Sequence, residues 1–193
     1  MWVLHGFFAS KHWVSPLSSK LHRMGWETVC YGYPSVWSRI TDEGKRLADG
    51  LVRSYQATGK PIYLVGHSMG GIVARVAALE LGPSIVQRLV LVCSPNRGSH
   101  IASKVDSWLG VLFPMLREMS DRASSYVCSL PPPNVPCAII AAKNDLVVRP
   151  ASTKIEGVEE WMLVAGMHSS AVWRDDVAFA IDNYFCTGKF VLV

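Results

Sequence analysis

The sequence predicts an α/β protein: a minimal, mostly parallel sheet of about six strands flanked by helices. Three observations predict it. Six apolar runs recur along the chain, at Trp2 to Leu4, Glu27 to Tyr33, Ile62 to Val65, Leu89 to Cys93, Cys137 to Ala142 and Trp161 to Ala165. They are continuous rather than alternating, as in strands buried on both faces. Segments with helical periodicity separate them, and strand alternating with helix implies parallel pairing through right-handed crossovers. In such a sheet, function collects just beyond the carboxyl ends of the strands, near the point where the winding reverses.

The helices carry recognisable punctuation. The first has Ser15 as its N-cap, Pro16 at its first position, Leu17, Leu21 and Met24 on one face, and Gly25 at its end. The second places Leu47, Leu51, Val52 and Tyr55 on one face and stops at Gly59 and Pro61. The last carries Val177, Ala178, Ile181, Tyr184 and Phe185, opened by Asp175 and Asp176, whose charges suit a helix N-terminus. Ser94 to Pro136 breaks the alternation, since most connections run to about 2–6 residues. We read it as a short insertion between the fourth and fifth strands, covering the site over about residues 98–134 and returning through Pro131-Pro132-Pro133.

Composition bounds the rest. A chain of 193 residues suits one domain spanning 1–193. Its net charge of +4 is dispersed with no run of like charge, so no nucleic-acid partner is expected. Nothing approaches the ~20 apolar residues of a membrane span. Met1-Trp2-Val3-Leu4 runs straight into His5-Gly6, without the charged region and long apolar run of a signal peptide, so a cytoplasmic protein is expected; a monomer is expected as well. The five cysteines, Cys30, Cys93, Cys128, Cys137 and Cys186, favour reduced thiols, with a Cys128 to Cys137 bridge left open. None has zinc-ligand spacing, and no metal site is expected.

Gly66-His67-Ser68-Met69-Gly70 is the most informative stretch. A strand-like run enters it and a helix-like run, Ile72-Val73-Ala74, leaves it. A serine on so sharp a turn needs neighbours without bulk at Gly66 and Gly70, and Gly71 lets the helix press on the sheet. Ser68 then lies at a helix N-terminus, where free N–H groups can stabilise an oxyanion. The plainer alternative is a glycine-rich turn whose serine caps the helix.

A serine nucleophile needs a base, and the base an orienting partner. Of six histidines, His168 follows Leu163-Val164-Ala165-Gly166 at the end of the last strand. His67 would point away from Ser68, His5 would brace its own loop, and His12, His22 and His100 fall on or beside helices. Asp145 follows the fifth strand and can approach His168; Asp106 and Asp121 are weaker choices within the insertion.

Serine, acid, histidine is the chain order of the α/β-hydrolase fold. The sequence resembles that family, and its small bacterial lipases and esterases in particular, over nearly its whole length. The resemblance lies in His5-Gly6-Phe7, Gly66-His67-Ser68-Met69-Gly70-Gly71, Asn144-Asp145-Leu146-Val147 and Gly166-Met167-His168-Ser169-Ser170. It implies a triad of Ser68, His168 and Asp145, with an oxyanion hole formed by the N–H groups of Phe7 and Met69. Two departures stand out. The two strands that precede the His-Gly strand in larger members have no room here, and Asn96-Arg97-Gly98-Ser99 resembles a lipase loop with no assignable chemistry.

The expected activity is hydrolysis of a carboxylic ester with a neutral, apolar acyl group, through an acyl-enzyme and without metal or organic cofactor. Phe8, Trp108, Leu112 and Phe113 are candidate substrate contacts, with Trp37 and Tyr33 flanking the same cleft. The apolar run from Trp108 to Leu116 has three roles open to it: an acyl pocket, a mobile lid making transient contact with a membrane surface, or a buried helix broken at Pro114. The substrate is expected to be a small-molecule or lipid ester. Thioester hydrolysis and acyl transfer would use the same residues, and a non-catalytic binding protein on this fold is the alternative of another class.

Overall fold

The computed structural model describes residues 1–109 and 113–191, with side chains described outside 106–109. Six strands form one sheet: β1 (Trp2–Leu4), β2 (Val29–Tyr31), β3 (Ile62–His67), β4 (Val86–Val92), β5 (Cys137–Ala142) and β6 (Trp161–Val164). All pair in parallel, in the order β2-β1-β3-β4-β5-β6. The winding reverses between β1 and β3, where Leu4 lies opposite Gly66. That places a crevice at the carboxyl ends of these two strands, as expected for an open parallel sheet.

The helices are α1 (Ser15–Arg23), α2 (Ile40–Thr58), α3 (Met69–Leu81), α4 (His100–Leu109), α5 (Pro114–Glu118), α6 (Tyr126–Ser129) and α7 (Asp175–Thr187). Alternate strand residues serve two cores. On one face Leu4, Leu64, Leu89, Leu91 and Ile139 pack with Leu47 and Leu51 of α2 and Ile72 and Val73 of α3. On the other, Val3, Val65, Val90, Val92 and Ile140 pack with Leu17 and Leu21 of α1 and Ile181 and Phe185 of α7. Burial on both faces is why these strands read as continuous apolar runs.

Several expectations need correction. Ser15 is the first residue of α1 rather than its cap, because a 3₁₀ turn over Lys11–Val14 leads into the helix and the Ser15 hydroxyl donates to the His12 carbonyl. Met24 is exposed, since the helix ends at Arg23 and the chain turns away. The run from Glu27 to Tyr33 contributes only three paired residues, at the edge of the sheet. The stretch between β4 and β5 carries α4, α5 and α6, and Pro114 is the first residue of α5. All five cysteines are free thiols, so the Cys128 to Cys137 bridge is not formed. Among the described residues no helix is long and apolar enough to cross a membrane.

Candidate active site

Parallel register aligns the carboxyl ends of β1, β3, β4, β5 and β6, and the loops that follow them meet along one edge of the sheet. Ser68 sits between β3 and α3 at φ +55° and ψ −127°, while its N–H still donates to the Val92 carbonyl at 2.8 Å. Such a backbone costs a β-carbon residue about 1–3 kcal/mol and persists only where surroundings enforce it. Here crowding does so. A β-carbon at Gly66 would strike the backbone of Gly70 and Gly71, and one at Gly70 would strike the His5 carbonyl. The other positive-φ residues with side chains, Phe8 and Cys93, close β1 and β4 at the same edge.

The three residues expected to cooperate are brought together. His168 Nε2 lies 2.9 Å from Ser68 Oγ, and His168 Nδ1 lies 2.7 Å from Asp145 Oδ2. The carboxylate can only accept, so Nδ1 carries a proton and Nε2 offers a lone pair to the hydroxyl. Asp145 Oδ1 accepts from the N–H groups of Val147 and Val148 at 2.8 and 2.7 Å, which fixes the carboxylate plane. All three residues are buried, so their hydrogen bonds are shielded from solvent. The alternatives Asp121 and His100 lie together on the insertion instead, 3.8 Å apart, and the Asp106 side chain lies outside the described residues.

Beside Ser68 the backbone offers donors. Met69 is the first residue of α3, so its N–H is one of those the helix leaves without an internal partner. Phe7 follows Gly6, whose hydrogen faces Ser68 so closely that a β-carbon would stand 2.9 Å from Ser68 Cβ. His5 braces this loop as expected. Its Nδ1 lies 2.9 Å from the Gly6 carbonyl, its ring stacks on Tyr33 at 4.4 Å, and the Tyr33 hydroxyl donates to the His5 carbonyl at 2.6 Å.

A cavity of about 390 Å³ opens at Ser68. Among the described residues its walls, apart from Ser68 and Ser99, are apolar: Phe7, Phe8, Pro95, Ile101, Ala102, Val105, Phe113, Leu116, Met119, Val147 and Val148. Phe8 and Phe113 are both among these walls, and Trp37 packs on Phe113 with ring centres 5.3 Å apart. Leu112 and the Trp108 side chain lie outside the described residues. Tyr33 does not flank this cleft. Its hydroxyl is tied to His5, and it borders a separate cavity of about 600 Å³ along the β2 edge.

Two supporting residues escape sequence reading. His67 Nε2 donates to the backbone carbonyl of His168 at 3.0 Å, clamping the loop that carries the imidazole, and the two rings lie 5.0 Å apart. Burial first, and then the nearby His168 ring, push its pKa from 6.5 down to about 3, so His67 is neutral. Cys93 lies against the acid: its Sγ, an Asp145 oxygen and a His168 ring nitrogen all fall within 4.8 Å of one another. Burial and the Asp145 charge push the Cys93 thiol well up, keeping it protonated. This is the one His, Cys and carboxylate cluster among the described residues close enough to hold a metal, but a protonated thiol is a poor ligand and the other two are already bonded to each other.

The Asn96 to Ser99 loop, unassigned in sequence, bridges β4 to the acid loop. Asn96 Nδ2 donates to the Thr153 carbonyl at 2.7 Å, the Arg97 N–H to Ser152 at 2.8 Å, and Ser99 Oγ to Val147 at 2.9 Å. These bonds tie the loop after β4 to the segment after β5 that carries Asp145.

The chain has the α/β-hydrolase fold. The family model for that fold matches residues 56–120, which span the elbow, α3 and much of the insertion. Among solved structures, a Bacillus licheniformis lipase in its propeptide form is 15% identical over 100% of this chain and 50% of its own, with a TM-score of 0.78. Lipase B of Aspergillus fumigatus is 17% identical over 93% of this chain and 50% of its own, with a TM-score of 0.75. A monoacylglycerol lipase of Paleococcus ferrophilus is 16% identical over 95% of this chain and 93% of its own, with a TM-score of 0.68. The chain thus spans half the length of the first two. No curated protein matches it in sequence.

Proposed function

We propose that the chain is a serine carboxylic-ester hydrolase acting on esters of neutral, apolar acids. The observation that carries this reading is the hydrogen-bonded series Ser68, His168, Asp145 at the mouth of an apolar cavity. In the first half-reaction His168 Nε2 takes the hydroxyl proton as Ser68 Oγ bonds to the ester carbonyl carbon. Asp145 holds the imidazole in the required tautomer and stabilises the imidazolium. The carbonyl oxygen becomes an oxyanion facing the Phe7 and Met69 N–H groups, where each donor contributes about 2.7–4 kcal/mol. The carbon–oxygen bond to the alcohol breaks and His168 returns the proton to the leaving alkoxide. Water, losing its proton to His168, then attacks the acyl-enzyme and Ser68 regains its hydrogen.

The acyl chain occupies the 390 Å³ cavity, with Phe8 and Phe113 among its walls and the 98–134 insertion supplying Ile101, Ala102, Val105, Leu116 and Met119. Among the described residues no charged side chain lines it, which disfavours acids bearing a second charge. The test is turnover of neutral nitrophenyl esters of increasing acyl length by the native chain and by Ser68→Ala. Ser68-dependent hydrolysis with an optimum in acyl length is expected; no Ser68-dependent hydrolysis of any member would overturn the proposal.

A further inference from the structure

Arg75 of α3 is 2% exposed and carries a charge with no carboxylate bonded to it among the described residues. Its Nη2 donates to the carbonyls of Leu130 and Pro131 at 2.8 and 2.7 Å, while its Nε and Nη1 find no acceptor. Asn96, 4% exposed, leaves its Oδ1 unpartnered, an acceptor that only a protonated oxygen of an occupant, such as the hydroxyl of hydrogen phosphate, can satisfy. Both line a cavity of about 180 Å³ whose walls also include Arg97, Lys154, Glu156 and Cys128. Three cations therefore surround this space against one carboxylate. A buried guanidinium without a counter-ion is costly, keeps its charge at any ordinary pH, and in folded proteins is paired or binds an ion.

We propose that this cavity is an anion site for a small tetrahedral oxyanion of the phosphate class, held by Arg75, Arg97 and Lys154. The volume is that of about six waters at roughly 30 Å³ each, enough for such an ion with part of its hydration. A polyvalent oxyanion engages several cations at once, whereas a monovalent halide satisfies one. The site is separate from the Ser68 cavity, and the two share no lining residue. It is nevertheless joined to the acid loop, because Asn96 and Arg97 hold Thr153 and Ser152, next to Lys154. An occupant thus clamps α3, the β4 loop and the 150–156 segment together.

Thermal unfolding of the full chain in inorganic phosphate, against chloride at equal ionic strength, tests this. A saturable rise in Tm with phosphate is expected, as for any ligand that binds only the folded state. Arg97 is exposed, so Arg97→Gln keeps the fold and is expected to weaken phosphate at least fivefold; Arg75→Met is expected to abolish the rise. If Arg75→Met does not fold, Arg97→Gln combined with Lys154→Gln carries the test. Tighter binding of glycerol phosphate than of inorganic phosphate would identify a phosphomonoester as the source of the oxyanion, and the reverse a free ion. No saturable rise beyond chloride, or an equal rise in the variants, would overturn the proposal.

Discussion

Replacing His67 with glutamine should flatten the acid side of the stability profile. The buried ring titrates at about 3 in the folded chain against 6.5 when free. Its folded pKa is depressed, so between pH 6.5 and about 3 the unfolded chain takes up a proton that the folded chain refuses. The stability is therefore complete above pH 6.5 and is lost as pH falls through this window. The slope is about 1.4 kcal/mol per pH unit, and the loss reaches about 2 kcal/mol by pH 5. His5, whose pKa burial also lowers, adds loss of the same sign. Urea unfolding at pH 7, 6 and 5 reads the effect directly. The native chain should lose about 2 kcal/mol more between pH 7 and 5 than His67→Gln does. Parallel profiles for the two proteins would refute the reasoning, even if the variant is weaker at every pH through loss of its bond to the His168 carbonyl.

Three further outcomes follow from the geometry. Asp145→Asn keeps an oxygen for the Val147 and Val148 N–H groups but offers His168 Nδ1 the wrong partner, so kcat should fall about 10⁴-fold with an unchanged Tm; full activity would mean another acid serves. Gly6→Ala brings a β-carbon to 2.9 Å from Ser68 Cβ and shifts the Phe7 donor, so kcat should fall about 10²-fold or more while KM changes little; a change confined to KM would place the oxyanion elsewhere. Phe113→Ala enlarges the apolar cavity, so the preferred acyl chain should lengthen across a nitrophenyl ester series; an unchanged profile would remove Phe113 from the acyl wall.

The legible parts of this molecule are those written in local pattern. Cys137 to Ala142 reads as a strand at the positions where it is one, because burial on both faces leaves an unbroken apolar run. The elbow is legible because only glycine tolerates the crowding at 66 and 70. Knowing that function follows the ends of strands then singles out Asp145 and His168. What stays hidden depends on contacts between distant segments. His67 and Cys93 look like ordinary core residues in sequence, since their partners lie 101 residues away in one case and on a different strand's loop in the other. Asn96 is a turn residue in sequence and a bridge in space. Arg75, within an apolar helix, shows that it has no carboxylate partner among the described residues only when α3 is packed against the returning insertion.

The most direct test of the central claim is the mass of the protein during turnover of nitrophenyl butyrate, quenched in acid and mapped by peptide. One butyryl group per chain on the peptide containing Ser68, formed with a burst of one equivalent of nitrophenol, is the predicted result. Sustained turnover with no adduct, or with an adduct on any other residue, would contradict it.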